Sequence, residues 1–274
     1  MPEWAGFVGL TGFLLTVLLA LARLSQRLLE TDTARASVAD GGPATRREVY
    51  PRFETAEVAR RRRRRAEQRS PGDPSMGALL ANVALTQGLF GVVLLGAAFL
   101  FEIPPWTLGV APTPLSTGLP AVAIGFGAGV GFWAGTELAA VLAGGFGISF
   151  DESVRELLAP ESTGGWVVLL GVILPIIAAV EELLFRAAAI GVPVAGLGAP
   201  AWLMVPLSAA AFGLGHGAQG RVGMVVTATL GLALGALFVL TNSLLAVVVA
   251  HYLINALELV VHEGLGVDRR ASFG

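Results

Sequence analysis

The chain has no cysteine. Disulfides, thiolate metal ligands and a cysteine nucleophile are thereby excluded. It also has no lysine: every one of its 18 basic residues is arginine, which carries no functional meaning that we can assign. Charge of either sign is scarce, at 14% of 274 residues, against about 25% in a soluble domain. Hydrophobic residues make up 54%, with 36 glycines and a mean hydropathy of +0.73. One aqueous core cannot bury that much apolar surface, so lipid is the expected solvent.

A transmembrane helix needs about 20 mainly apolar residues. Stretches at roughly 4–24, 77–101, 119–146, 165–191, 201–217, 221–241 and 243–262 qualify. The expected fold is an all-α polytopic bundle of about seven spans in the cell membrane. The first stretch opens on MPEW, with no positive charge, and its apolar run is long for a signal peptide, so we read it as a retained helix. Residues 1–164 form accessory helices with an arginine-rich loop at 25–76, residues 165–262 the core, and 263–274 a tail. The loop holds Arg46, Arg47, Arg52, the run Arg60 to Arg65, and Arg69. Such loops stay on the cytoplasmic side. With seven spans the N-terminus then lies outside, and the tail with Arg269 and Arg270 inside. The stretch from Glu54 to Arg69 also suits a juxtamembrane helix on anionic lipid headgroups. A nucleic-acid partner is not expected of a polytopic chain.

Glycines recur every four residues at Gly127, Gly131 and Gly135, and again at Gly231 and Gly235. That spacing lets helices approach closely in lipid and predicts two packing faces. The segment 151–161 (DESVRELLAPE) suits an interfacial helix.

The candidate polar residues inside the membrane are Glu137, Glu181, Glu182, Arg186, His216, His251, Asn255, Glu258 and His262. An ionisable side chain at bilayer depth costs roughly 2.5–3.5 kcal/mol on insertion scales, so each asks for a reason. Glu182 and Arg186 are four apart on one helix face and can pair. Glu181 has Phe185 on its own face and needs a partner from another helix, a proton or water. His216 closes AAFGLGH, with Phe212 four residues earlier and Gly213, Gly215 and Gly217 leaving room for close approach. His251 and Asn255 share a face of the last span. If the fourth span runs to about Gly191, where Gly191 and Pro193 provide a stop, Glu181 and His216 lie within about 10 Å of one depth.

This set predicts one shared polar site. A carboxylate beside a histidine in a low-dielectric pocket can activate water. A second histidine and an amide can donate to a developing oxyanion. The same histidines and glutamate (Glu181, His216, His251) could instead hold a zinc ion that activates the water. The residues leave both readings open, although no HExxH motif is present.

At these residues the chain resembles the CPBP (ABI) family of intramembrane proteases, the group that includes the type II CAAX prenyl endopeptidases. The motifs are Glu181-Glu182-Leu-Leu-Phe-Arg186, Phe212-Gly-Leu-Gly-His216 and His251-Tyr-Leu-Ile-Asn255, in that order. The resemblance covers about residues 165–262. It implies an endopeptidase of glutamate or metallo type, in which Glu181 and His216 activate water and His251 and Asn255 stabilise the oxyanion. Glu182, Arg186 and Phe212 support the site, and zinc is the candidate cofactor. The substrate would be a peptide or lipidated protein in the membrane; the prenyl-protease members remove a C-terminal tripeptide after a lipidated cysteine. Glu137, Glu258 and His262 match no motif and read as helix-end or packing groups. The rival readings are a proton- or ion-coupled transporter and a non-catalytic scaffold of the same family. Against a transporter, the polar groups gather in the last four spans and the two halves show no repeat.

Overall fold

The computed structural model describes residues 1–39, 76–146, 155, 158–160 and 162–267. The loop arginines from Arg46 to Arg69, the juxtamembrane helix, most of the 151–161 segment, and Arg269 and Arg270 lie outside those residues. Seven principal helices are described: α1 (Trp4–Ala39), α2 (Met76–Leu100), α3 (Leu119–Gly145), α4 (Thr163–Leu197), α5 (Ala201–Gly215), α6 (Gly220–Thr241) and α7 (Leu244–Gly264). No strand occurs among the described residues. The protein is an integral, multi-pass helical bundle. Six helices are long and apolar enough to cross a bilayer. The seventh expected span, 201–217, forms a helix of 15 residues. At 1.5 Å per residue it is about 22 Å long, short of a typical hydrocarbon core.

The bundle is apolar outside and selectively polar inside. Leu85, Leu89, Val92 and Phe99 point outward from α2, while Glu182, Arg186, His251 and His262 are buried. That inversion of a soluble protein follows from lipid being the solvent.

The fourth span departs from expectation. It does not stop at Gly191 and Pro193 but runs to Leu197, where Gly198 closes it in the left-handed region at φ 66°. Two π-helical stretches, Leu169–Ile173 and Leu183–Gly191, explain how it passes its prolines. Each is followed within two residues by a proline, Pro175 or Pro193, which enters in the first turn of the next α-helical stretch. A first-turn proline sacrifices no hydrogen bond that the helix requires. The second π stretch begins directly after Glu182, so the key carboxylates sit where the helix changes register, a common place for π turns at functional sites.

Two close helix contacts fix the frame. α5 and α6 form a hairpin: a Cβ on Gly213 would lie 2.7 Å from the Met224 carbonyl, one on Gly231 3.1 Å from Ala209 Cα, and one on Gly235 3.0 Å from Val205. The expected Gly231/Gly235 face is therefore real. The expected face of Gly127, Gly131 and Gly135 is not, because a Cβ added at any of them would meet no atom of another helix within 4 Å. α3 uses the other stripe. Ala121, Gly125 and Gly129 are buried, and Cβ atoms on the two glycines would meet the Ala246 and Ala250 carbonyls of α7 at 2.5 and 2.8 Å. Four-residue spacing of small residues occurs on both stripes, and the alanine at 121 lengthens the one that packs. Gly125→Leu and Gly129→Leu should each destabilise the protein by about 1–3 kcal/mol in detergent unfolding, and Gly127→Leu should have little effect. Equal responses at the three positions would contradict this packing.

Candidate active site

α4, α5 and α7 converge on one polar cluster, and local helix chemistry aims each side chain. α5 ends at Gly215, which leaves its last carbonyls without helical partners. His216 follows at φ −97°, and its ring Nδ1 lies 2.8 Å from the Phe212 carbonyl. A carbonyl only accepts, so Nδ1 carries the hydrogen and a neutral ring keeps its lone pair on Nε2. That nitrogen stands 3.9 Å from Glu181 Oε2. The expected offset in depth is thus closed.

His251, on α7, lies between the two carboxylates. Its Nδ1 is 2.7 Å from Glu182 Oε1 and its Nε2 is 3.7 Å from Glu181 Oε2. Glu182 Oε1 also accepts from Arg186 Nη1 at 2.8 Å, which makes the expected intrahelical pair. Both residues of that pair are fully buried. Arg186 is satisfied further by the π-face of Phe212, 4.4 Å from its guanidinium carbon, and Nη2 reaches the Gly231 carbonyl at 3.4 Å. Phe212 also packs on His216 at 4.6 Å between centroids and presents an edge contact to His251 at 5.8 Å. One aromatic ring therefore spaces the guanidinium and both imidazoles.

Glu181 has a different environment. Its side chain is 12% exposed. Oε1 accepts a long hydrogen bond, 3.5 Å, from Gln87 Nε2 on α2, while Oε2 is buried without a hydrogen-bond partner. It faces a cavity of about 400 Å³ whose lining includes Gln87, Glu181, His216, His251 and Asn255. All four residues expected to do chemistry thus border one space. The cavity wall is mostly apolar, from Val83, Leu174, Ile177, Val226, Leu230 and Ile254 among others.

Residues 163–257 match the family model of Rce1-like type II CAAX prenyl endopeptidases. This segment runs from the start of α4 through most of α7 and contains every motif residue around the cavity. Over that segment, about a third of the chain, the protein is similar to the Rce1-like proteases of the CPBP family. No curated protein and no solved structure matches the chain. The matched segment does not supply the whole cavity wall: Val83 and Gln87 come from α2, Thr136 and Ala140 from α3, and Arg155 and Leu158 from the connection before α4.

Would zinc fit the Rce1-like motif residues? Donors around a tetrahedral zinc at 2.0–2.1 Å lie about 3.3 Å apart. Glu181 Oε2 is 3.7 and 3.9 Å from the two imidazole nitrogens. Among the described residues, the set whose ligand atoms all lie within 4.8 Å of one another is instead Glu137, Glu258 and His262. As placed, Glu181, His216 and His251 do not make a three-donor zinc site.

Sequence reasoning missed the Glu182–His251 contact, Gln87, and the association of Glu137, Glu258 and His262. Gln87 is one of two amides in α2, with Asn82, and nothing in the sequence singles it out. The last group proves to be a connected cluster rather than separate helix-end residues.

Proposed function

We propose that the protein is an intramembrane endopeptidase that cleaves with water activated by Glu181, acting on lipidated, CAAX-type peptides. The observation that carries the reading is the unpartnered Glu181 Oε2, 3.9 and 3.7 Å from the Nε2 atoms of His216 and His251. Those separations are too long for direct hydrogen bonds, but one water oxygen about 2.8 Å from both Glu181 Oε2 and His216 Nε2 spans the first. The Rce1-like match supports the protease class and the prenylated substrate.

The chemistry follows from which atoms accept. Glu181 Oε2 and His216 Nε2 both accept, so a bound water donates a hydrogen to each and turns its lone pairs toward the substrate. As the oxygen attacks the peptide carbonyl, Glu181 takes the proton and the carbonyl oxygen becomes an oxyanion. His251 donates Nδ1–H to Glu182, so its Nε2 carries a hydrogen only in the doubly protonated ring. Nε2–H and the Asn255 amide then donate to the oxyanion. Collapse of the tetrahedral intermediate breaks the C–N bond, and Glu181 returns its proton to the leaving amine.

The Asn255 amide should act on the transition state more than on the ground state. Asn255→Ala, in full-length protein reconstituted in liposomes with a quenched prenylated peptide, should lower kcat about 10²–10³-fold with KM nearly unchanged. An unchanged kcat would remove Asn255 from the oxyanion site.

A further inference from the structure

We propose that Gln87, on α2 and outside the Rce1-like match, positions Glu181 for its reaction with water and so completes the site from beyond the matched segment. The role rests on the reading of Glu181 as the group that activates water. Gln87 touches that carboxylate and not the reacting atoms, which makes it a positioning residue rather than a catalytic one. Its side chain borders the cavity together with Glu181.

The rotation of α2 puts Gln87 there. Gln87, Gly91, Leu94 and Ala98 follow one another at the i, i+4, i+7 and i+11 positions of a helix and form one stripe. The last three are buried, whereas Asn82, Leu85, Thr86 and Leu89 are exposed. Of the two amides on α2, only Gln87 turns into the bundle. Gly91, one turn further on, lets α2 come close to α4: a Cβ there would lie 2.9 Å from Cγ2 of Val180, the residue before Glu181. That approach brings Gln87 Nε2 to 3.5 Å from Glu181 Oε1. A carboxamide facing an apolar bundle costs free energy unless it finds a partner, and Glu181 supplies one.

The two oxygens of Glu181 then have separate tasks. The terminal torsion of a glutamate is broad, so Oε2 keeps one direction only if something holds Oε1. Oε2 has no hydrogen-bond partner and stands 3.9 and 3.7 Å from the Nε2 atoms of His216 and His251. Gln87, on Oε1, selects the rotation that keeps Oε2 toward those rings. The neighbouring carboxylate is held differently. Glu182 accepts from the Arg186 guanidinium at 2.8 Å, which brings charge as well as a hydrogen bond. An amide brings direction alone, so α2 orients Glu181 without giving it a counter-ion. Catalytic hydrogen bonds are often long in the free enzyme and tighten once substrate is bound, and a 3.5 Å contact suits that behaviour.

The test uses full-length protein with Gln87→Met, which keeps the side chain's length and removes its donor. With a prenylated peptide in liposomes, kcat should fall about 10–100-fold, the worth of a hydrogen bond to a charged group, and KM should stay nearly unchanged. Introduced into Glu181→Gln, the same substitution should have no further effect, because its influence passes through the carboxylate. Asn82→Leu, exposed on the same helix, should leave kcat as it is. A second readout needs no turnover: the infrared carboxylate band that Glu181→Gln removes should shift in frequency in Gln87→Met. An unmoved band overturns the proposal whether or not the chain cuts peptides. So does a wild-type kcat in Gln87→Met, or a further loss in the Glu181→Gln background, which would place Gln87 on the substrate instead. A shifted band in protein that cuts no prenylated peptide would keep Gln87 as the group that positions Glu181 and overturn the protease reading. Gln87→Leu carries the same series if the methionine variant fails to fold.

Discussion

Glu181→Gln should lower kcat for peptide cleavage by about 10³-fold, within the 10²–10⁴ range of a lost general base. The substitution is nearly isosteric, so the helix and the cavity are retained. What it removes is the acceptor that takes the proton from water and later returns it. KM should change little, because a base that acts only during bond-making contributes to the transition state and not to binding. The fold should survive, since Glu181 borders the cavity and its Oε2 has no hydrogen-bond partner to lose. A variant with wild-type kcat would show that another group activates the water.

Arg186→Met should be the most destabilising substitution in the core, costing about 3–5 kcal/mol. Arg186 and Glu182 are both fully buried, and the arginine is the carboxylate's counter-ion at 2.8 Å. Methionine would leave Glu182 charged in a low-dielectric interior with His251 as its remaining partner. The double variant Glu182→Leu/Arg186→Met removes both charges and should recover most of the stability, because well-packed apolar replacements of buried ion pairs are often neutral. It should not recover activity. His251 Nδ1 loses its acceptor, and with it the anchoring that keeps Nε2 facing Glu181. Unfolding midpoints in detergent give the first comparison and peptide turnover the second. A single variant within about 1 kcal/mol of wild type would mean that the pair is not the core's main electrostatic commitment.

The membrane class of the fold was legible because composition alone rules out an aqueous core. The Glu182–Arg186 pair was legible because four residues is one helical turn. The site was legible as a set, from three short motifs, but its wiring was not. Spacing along one helix says nothing about which carboxylate receives His251, and the contact joins α4 to α7. The α3 glycines show a similar limit. Two stripes of small residues have the same period, and which one packs depends on the rotation of α3 against α7, which a sequence does not display. The passage of α4 beyond Pro193 was hidden because proline usually ends a helix, and a π stretch before it is a property of the folded backbone.

The central claim is that Glu181 activates water rather than attacking the substrate itself. A single turnover of reconstituted wild-type protein in ¹⁸O-labelled water, with a prenylated peptide at sub-stoichiometric concentration, tests it most directly. Direct attack by water predicts one ¹⁸O atom in the new C-terminal carboxylate of the product on the first turnover, and product formation about 10³-fold slower with Glu181→Gln. First-turnover product bearing only ¹⁶O, with the label in the Glu181 carboxylate, would contradict the account and identify a covalent intermediate.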